Sequence, residues 1–411
     1  MKSQVFDIIA LEEKRQKENI ELIASENFVS ENVMKAVGSV FTNKYCEGYA
    51  ATRMAGSGNR GRYYGGCQNA DLLEEYCIQL WKRVFKTVYH VNVQPHSGTQ
   101  ANMAAYAAVL KPGDKILSME LSSGGHLSHG SPVSMAGKLY EIHSYKLKEN
   151  GYIDLQDFQN KIMEIRPNLI LAGASAYPRN IPFDSMADII DKCKMAIYLT
   201  DTVRYEPIFM VDMAHIAGLV ATGLHTTPFG FADIITTTTH KTLRGPRGGL
   251  IFCKNKLASK IDSAVFPMNQ GGPLMHVIAG KAVCAEEALE DSYKMYIHEV
   301  VRSCSAMADE FTKLGFHVVT GGTDNHLLLL DFSDTHPHVT GQMVQDKLDK
   351  LNITLNKNSV PGDKRSYKET SGVRIGTAPM CSKGWVSDDF VHCASVIADV
   401  VNQLEEEHKN D

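Results

Sequence analysis

Apolar and polar positions along this chain alternate between two patterns. Short, mostly apolar runs occur at Lys115-Ile116-Leu117-Ser118-Met119, Leu169-Ile170-Leu171-Ala172-Gly173 and Ile208-Phe209-Met210-Val211. Runs of this length, without a polar residue at every second place, read as strands buried on both faces. Helical stretches lie between them, among them the alanine-rich Ala101 to Leu110. The alternation from about Phe28 to Met275 predicts an α/β domain with a mostly parallel central sheet covered by helices (28–275). From Pro273 a long helical stretch passes Glu286, Glu287 and Glu290 toward Gly315. It leads into a smaller C-terminal α/β domain (276–411) with Leu327 to Phe332 as its central strand. Residues 1–27 read as an N-terminal helical arm, where Glu12, Glu13, Lys14, Arg15, Lys17 and Glu18 form a solvated face. The polar end, Glu405 to Asp411, reads as frayed.

Composition narrows the classes. Hydrophobic residues make up 44% of the 411 and charged residues 22%, enough apolar material for a large core. A net charge of −5 gives no basis for nucleic acid as the main partner. No apolar run reaches the length of a membrane span, and the start of the chain is too acidic for a secretory signal. Nine cysteines without regular spacing point to reduced thiols and a cytoplasmic location. Neither they nor the sixteen histidines show the spacing of a metal site, so no metal is expected.

The chemistry concentrates at Thr236-Thr237-Thr238-Thr239-His240-Lys241, which a strand-like segment (Ala232 to Ile235) precedes and glycines follow. β-Branched residues favour extended backbone, and the glycines let backbone lie close to a ligand. A lone lysine after a strand is ordinarily a surface residue. At the end of a buried strand its ammonium can be desolvated, which makes it a nucleophile toward an aldehyde. Pyridoxal phosphate is the cofactor that such a lysine most often serves.

Two further segments fit that cofactor. Pro207 to Asp212 reads as a buried strand with a carboxylate at its carboxyl end, where ligands of open α/β sheets bind. A carboxylate there suits the pyridine nitrogen. Val91 to Pro95 reads as a strand, followed by the turn His96-Ser97-Gly98-Thr99 and a helix. Ser97, Gly98 and Thr99 form a phosphate cup in this reading; an ordinary helix cap uses the same residues.

The chain resembles the serine hydroxymethyltransferases, which have the type I fold of pyridoxal-phosphate transferases. The resemblance rests on Glu21-Leu22-Ile23-Ala24-Ser25-Glu26-Asn27, Asn43 to Tyr49, Arg62-Tyr63-Tyr64-Gly65-Gly66-Cys67, Gln94 to Gly98 and Gly124 to Gly130. It continues through Val211 to His215, the threonine-lysine motif, Gln270 to His276, Gly321 to His326 and Ser371 to Thr377. It implies reversible transfer of the serine hydroxymethyl carbon to tetrahydrofolate, giving glycine and 5,10-methylenetetrahydrofolate through aldimine and quinonoid intermediates. Lys241 is then the cofactor lysine, and Asp212 holds the ring nitrogen. His126 stacks on the ring opposite Ala214, Ser175 lies near the ring hydroxyl, and His215 and His240 border the cofactor. His129 and His215 equally fit satisfied core histidines. Arg374 grips the substrate carboxylate, and Arg247 lies near the lysine. Glu47, set between Tyr45 and Tyr49, is the acid–base group. With Ser25, Tyr45 and Tyr64 it reaches the active site of a second subunit, where Gly271 and Gly272 offer N–H groups to phosphate. Tyr63, Leu121, Gly125, Phe266 and Asn358 take the folate positions. A homodimer with shared sites, possible tetramers included, is the implied assembly.

The pattern departs from the family at a glycine-rich insertion (51–61) beside the folate tyrosines. It also departs near Leu199 to Glu206, at Met268, at Ala378-Pro379 and from Gly362 to Lys368. The first of these favours the competing reading, a folate-independent aldolase acting on β-hydroxy amino acids.

Overall fold

Burial on both faces explains the strands that form. In the computed structural model, which describes residues 3–50, 61–202 and 204–409, Leu169–Ala172 and Ile234–Thr238 are buried at every position. Seven strands make one sheet. Their order is His90–Asn92, Gly249–Cys253, Ile234–Thr238, Ile208–Asp212, Leu169–Ala172, Lys115–Met119, Glu141–Tyr145. Only Gly249–Cys253 runs against its neighbours. The other six point the same way, so their carboxyl ends share one edge. The expected parallel α/β sheet is therefore present.

The helix Gly98–Val109 packs on Ile234–Thr238 and Gly249–Cys253, burying Ala101, Ala104, Ala105 and Tyr106 against Met210, Ile234 and Ile251. It begins three residues earlier than its alanine run suggests. The Ser97 hydroxyl accepts from the Gln100 N–H and caps the first turn. The strand before it is shorter than expected. Beyond Asn92 the carbonyls of Val93 and Pro95 serve the Lys281 ammonium, and Pro95 also accepts from Gly249 N–H.

The four threonines are buried, and each hydroxyl has a partner: Asn102 Oδ1 (2.6 Å), Thr238 O (3.0 Å), Ala214 O (3.4 Å) and Pro246 O (2.6 Å) for residues 236 to 239 in turn. A buried hydroxyl needs such a partner to avoid a desolvation penalty. The run thus ties the strand end to three neighbouring segments.

The described chain resolves into two compact units: Met1–Phe28, Ala176–Arg179 and His298–Asp411 make one, Val29–Ser175 and Asn180–Ile297 the other. The smaller has an antiparallel sheet ordered Asn356–Asn358, Gly372–Gly376, Leu327–Asp331, His317–Val318, with Leu327–Asp331 interior as expected. The helical stretch after Pro273 is two helices, Met275–Glu287 and Asp291–Lys313.

The N-terminal helix ends at Glu18, and Ile20–Glu21 pairs as a short strand with Ile353–Thr354. None of its residues is buried; Phe6 and Leu11 face solvent as openly as its charges. The C-terminus is not frayed where the polar run begins. The last helix, Ser387–His408, continues because Leu404 is buried and Glu405 and Glu407 pair with His338 and Lys347.

The insertion at 51–61 lies, apart from Gly61, outside the described residues. Near Leu199 to Glu206, part of the extra chain extends the helix Phe183–Asp201, and Tyr205 donates to Pro167 O.

Candidate active site

Strand ends bring the three expected cofactor elements together in the larger unit. One cavity is lined by Ser97, Gly98, Thr99, Asn102, His126, His129, Ala174, Ser175, Asp212, Ala214, His215, Thr238, His240, Lys241 and Arg247. Asp212 is the last residue of Ile208–Asp212, and Lys241 follows Ile234–Thr238. Gly98 opens its helix against Thr238; an added Cβ would lie 2.5 Å from the Thr238 methyl carbon.

Asp212 is held from several directions. Its Oδ2 accepts from His129 Nε2 (2.9 Å) and Asn102 Nδ2 (2.9 Å), and its Oδ1 from Ala214 N–H (3.0 Å). Burial alone would push this carboxyl up, but the His129 bond and charge, then Asn102, hold it well below the ordinary range. It is therefore ionised at any working pH. Asn102 is engaged at both ends: Nδ2 donates to Ser128 Oγ and Asp212, and Oδ1 accepts from Thr236. His126 bonds the same Ser128 hydroxyl through Nδ1 (2.7 Å).

Lys241 Nζ donates to Thr238 Oγ1 at 3.0 Å. His240 is pushed down to about 3 by burial and by the nearby charges of Lys241 and Arg247, so it is neutral beside the lysine. Ser175 Oγ donates to Gly125 O at 3.0 Å. The glycines beyond the lysine allow close packing within the protein. A Cβ at Gly245 would meet Cys284 Sγ at 2.5 Å, and one at Gly249 would meet Ser97 O at 2.5 Å.

A second cluster in the same unit stands outside this cavity. Tyr45 OH donates to Glu47 Oε1 (3.3 Å), and the Tyr45 and Tyr64 rings meet edge-on at 4.9 Å. Tyr63 packs edge-on against Tyr64. Cβ positions at Gly271 and Gly272 would lie 3.5 Å from Glu47 Oε1 and 3.2 Å from the Tyr45 ring. Tyr45, Tyr63 and Tyr64 are exposed, and Glu47 is half-buried. Arg62 anchors the segment: its guanidinium donates to the carbonyls of Cys46 and Gly48 and to the carboxylates of Asp71 and Glu74.

Leu121 is exposed at the start of a 3-10 turn, and Gly125 sits where a Cβ would meet Met119 O at 2.4 Å. Neither residue lines the cavity, nor does Phe266, which is half-buried after Val265.

In the smaller unit Arg374 lies on the interior strand Gly372–Gly376. Nε donates to Asn356 Oδ1 (3.1 Å) and Nη2 to Ser25 Oγ (3.5 Å). Burial pushes Arg374 down to about 10, which leaves it charged at neutral pH. Asn358 is on the adjacent edge strand, its side chain turned to Ser359 O.

His129, Asn102 and Asn356 have larger structural parts than their sequence context signals. His129 stood there only as a core alternative. Asn102 and Asn356 show no motif of their own.

The donor set fits pyridoxal phosphate: a capped helix start for the phosphate, a fixed ionised carboxylate for the ring nitrogen, and an amine in the same cavity. Fold and site together define a pyridoxal-phosphate-dependent enzyme of fold type I. A family model described as serine hydroxymethyltransferase matches residues 1–397, and the chain belongs to that family. Its members are glycine hydroxymethyltransferases that use pyridoxal phosphate and take tetrahydrofolate as co-substrate.

Proposed function

We propose that the reaction, serine and tetrahydrofolate giving glycine, 5,10-methylenetetrahydrofolate and water, is divided among the residues as follows. Lys241 carries the cofactor, and Asp212 holds a proton on its ring nitrogen. Pyridoxal phosphate, when bound, supplies an electron sink for the α-carbon of the amino acid. Ser97, Gly98 and Thr99 take its phosphate. His126, Ser175, His215 and His240 border its ring. Arg374, steadied by Asn356 and beside Ser25, grips the serine carboxylate through paired N–H groups. Arg247, exposed at the cavity rim, meets the substrate side. Tyr63, Leu121, Gly125, Phe266 and Asn358 contact tetrahydrofolate.

Glu47 moves the proton at the hydroxymethyl oxygen, with Tyr45 and Tyr64 beside it. The observation that carries this reading is the meeting of Lys241, Asp212 and the Ser97–Thr99 turn in one cavity. Serine turnover should rise with added tetrahydrofolate and saturate. Turnover indifferent to tetrahydrofolate would instead make the protein a folate-independent aldolase.

The active assembly in this proposal is a homodimer. Glu47, Tyr45, Tyr64, Gly271 and Gly272 cluster away from their own cavity, and the exposed tyrosines leave apolar surface for a second copy to cover. Two inactive variants, Lys241→Ala and Glu47→Gln, should then complement each other. Random exchange of subunits makes about half the dimers hybrid, each with one intact site, so roughly a quarter of wild-type activity returns. No recovery after subunit exchange would put Glu47 in its own chain's site. A cytoplasmic location is proposed from the nine free cysteines. No helix among the described residues is long and apolar enough to cross a membrane.

A further inference from the structure

Lys281 has no part in the chemistry assigned above, yet it is a fully buried lysine on the helix Met275–Glu287. Its ammonium donates to three backbone carbonyls: Val93 (2.7 Å), Pro95 (2.9 Å) and Gly249 (2.8 Å). Val93 and Pro95 belong to the segment that runs into the Ser97–Thr99 turn. Gly249 begins the strand that follows the lysine loop. The two segments also meet directly through Gly249 N–H and Pro95 O (3.0 Å). Gly248 allows this approach, since a Cβ there would lie 2.4 Å from Lys281 Cε. Three donors on a tetrahedral nitrogen thus close a junction that the sheet leaves irregular.

We propose that Lys281 is a positioning residue for the phosphate-binding turn: it fixes the backbone just before Ser97, and cofactor affinity depends on it through the phosphate. The inference rests on the reading that Ser97, Gly98 and Thr99 take the phosphate.

The surroundings make the lysine the titrating member of its group. Burial pushes Lys281 down to about 8, against the pull of Cys77 and Glu74 on the helix Gln68–Val84. Cys77 is itself pushed up to about 12 by burial, and Glu74 is bonded to Arg62 and Gln94. His96, beside the turn, is lowered by burial and by Lys281, and His240 is lowered to about 3. The protonated lysine has three hydrogens for three carbonyls. The neutral amine, present as pH rises through about 8, has two and withdraws its donor from one of the three carbonyls.

The test uses the full chain, stripped of cofactor and titrated with pyridoxal phosphate or with pyridoxal, which lacks the phosphate. Lys281→Met keeps the length and removes the donors. At pH 7 it should raise the Kd of pyridoxal phosphate roughly tenfold and leave that of pyridoxal unchanged. Thr99→Val serves as the control on the turn itself. If Thr99→Val weakens pyridoxal phosphate binding and folded Lys281→Met does not, the inference is wrong. If neither variant weakens it, the placement of the phosphate is wrong and the inference falls with it. Should Lys281→Met fail to fold, the wild-type protein decides. Its preference for pyridoxal phosphate over pyridoxal should fall about fivefold between pH 7 and pH 9, and a constant preference would overturn the proposal.

Discussion

Lys241→Ala should end turnover of serine, with a loss of at least about a thousandfold, and should leave a protein without its yellow colour after dialysis. Lys241 provides the only amine lining the cavity that also holds Asp212 and the Ser97–Thr99 turn, among the described residues. Its Nζ rests on Thr238 Oγ1, a hydroxyl that belongs to the buried threonine run. The alanine variant keeps that run and its four hydroxyl partners, so its fold is retained and the loss is chemical. Borohydride reduction followed by intact-mass measurement separates the outcomes. Wild type should gain the mass of the cofactor permanently, and the variant should not. A variant that still gained it would mean that another amine carries the cofactor.

Asp212→Asn should lower kcat by about a hundred- to a thousandfold at saturating cofactor, with a much smaller change in KM for serine. The amide is nearly the same size but carries no charge, so it cannot hold a proton on the ring nitrogen. Its one carbonyl oxygen can serve either the His129 and Asn102 donors or the Ala214 N–H, which the carboxylate satisfies with separate oxygens. Because these partners keep the native carboxyl ionised, Asp212 contributes nothing to any fall of activity between pH 8 and pH 5. Steady-state kinetics across that range check both statements. A variant with kcat within about threefold of wild type would sink the assignment of Asp212.

Much of this architecture was readable from residues close together in the chain. Leu169–Ala172 and Ile208–Asp212 announce themselves because burial on both faces demands an unbroken apolar run. The position of Asp212 at a strand end follows from the second of these runs, and that of Lys241 from the threonine strand Ile234–Thr238. What stayed hidden depends on partners remote in sequence. Asn102 looks like a polar interruption of an alanine-rich helix, and only the fold brings it to Asp212 and Thr236. Lys281 looks like the solvent-facing residue of its helix, although two of its three carbonyl partners lie nearly two hundred positions earlier. Glycines 245 and 249 signalled close approach correctly, but the approaching atoms are Cys284 and Ser97 of the protein itself. The C-terminal run misled for the opposite reason: its polar residues meet His338 and Lys347, which no local pattern discloses.

The tight meeting of Gly248 with Lys281 constrains how the sequence can drift. A Cβ acquired at 248 meets the lysine stem at 2.4 Å, whereas trimming the stem first leaves the Thr239 hydroxyl, at 3.3 Å, as its nearest neighbour. Viable histories through these two positions therefore have an order, with the change at 281 preceding the change at 248. A descendant with alanine at 248 would carry the record of a lysine already lost.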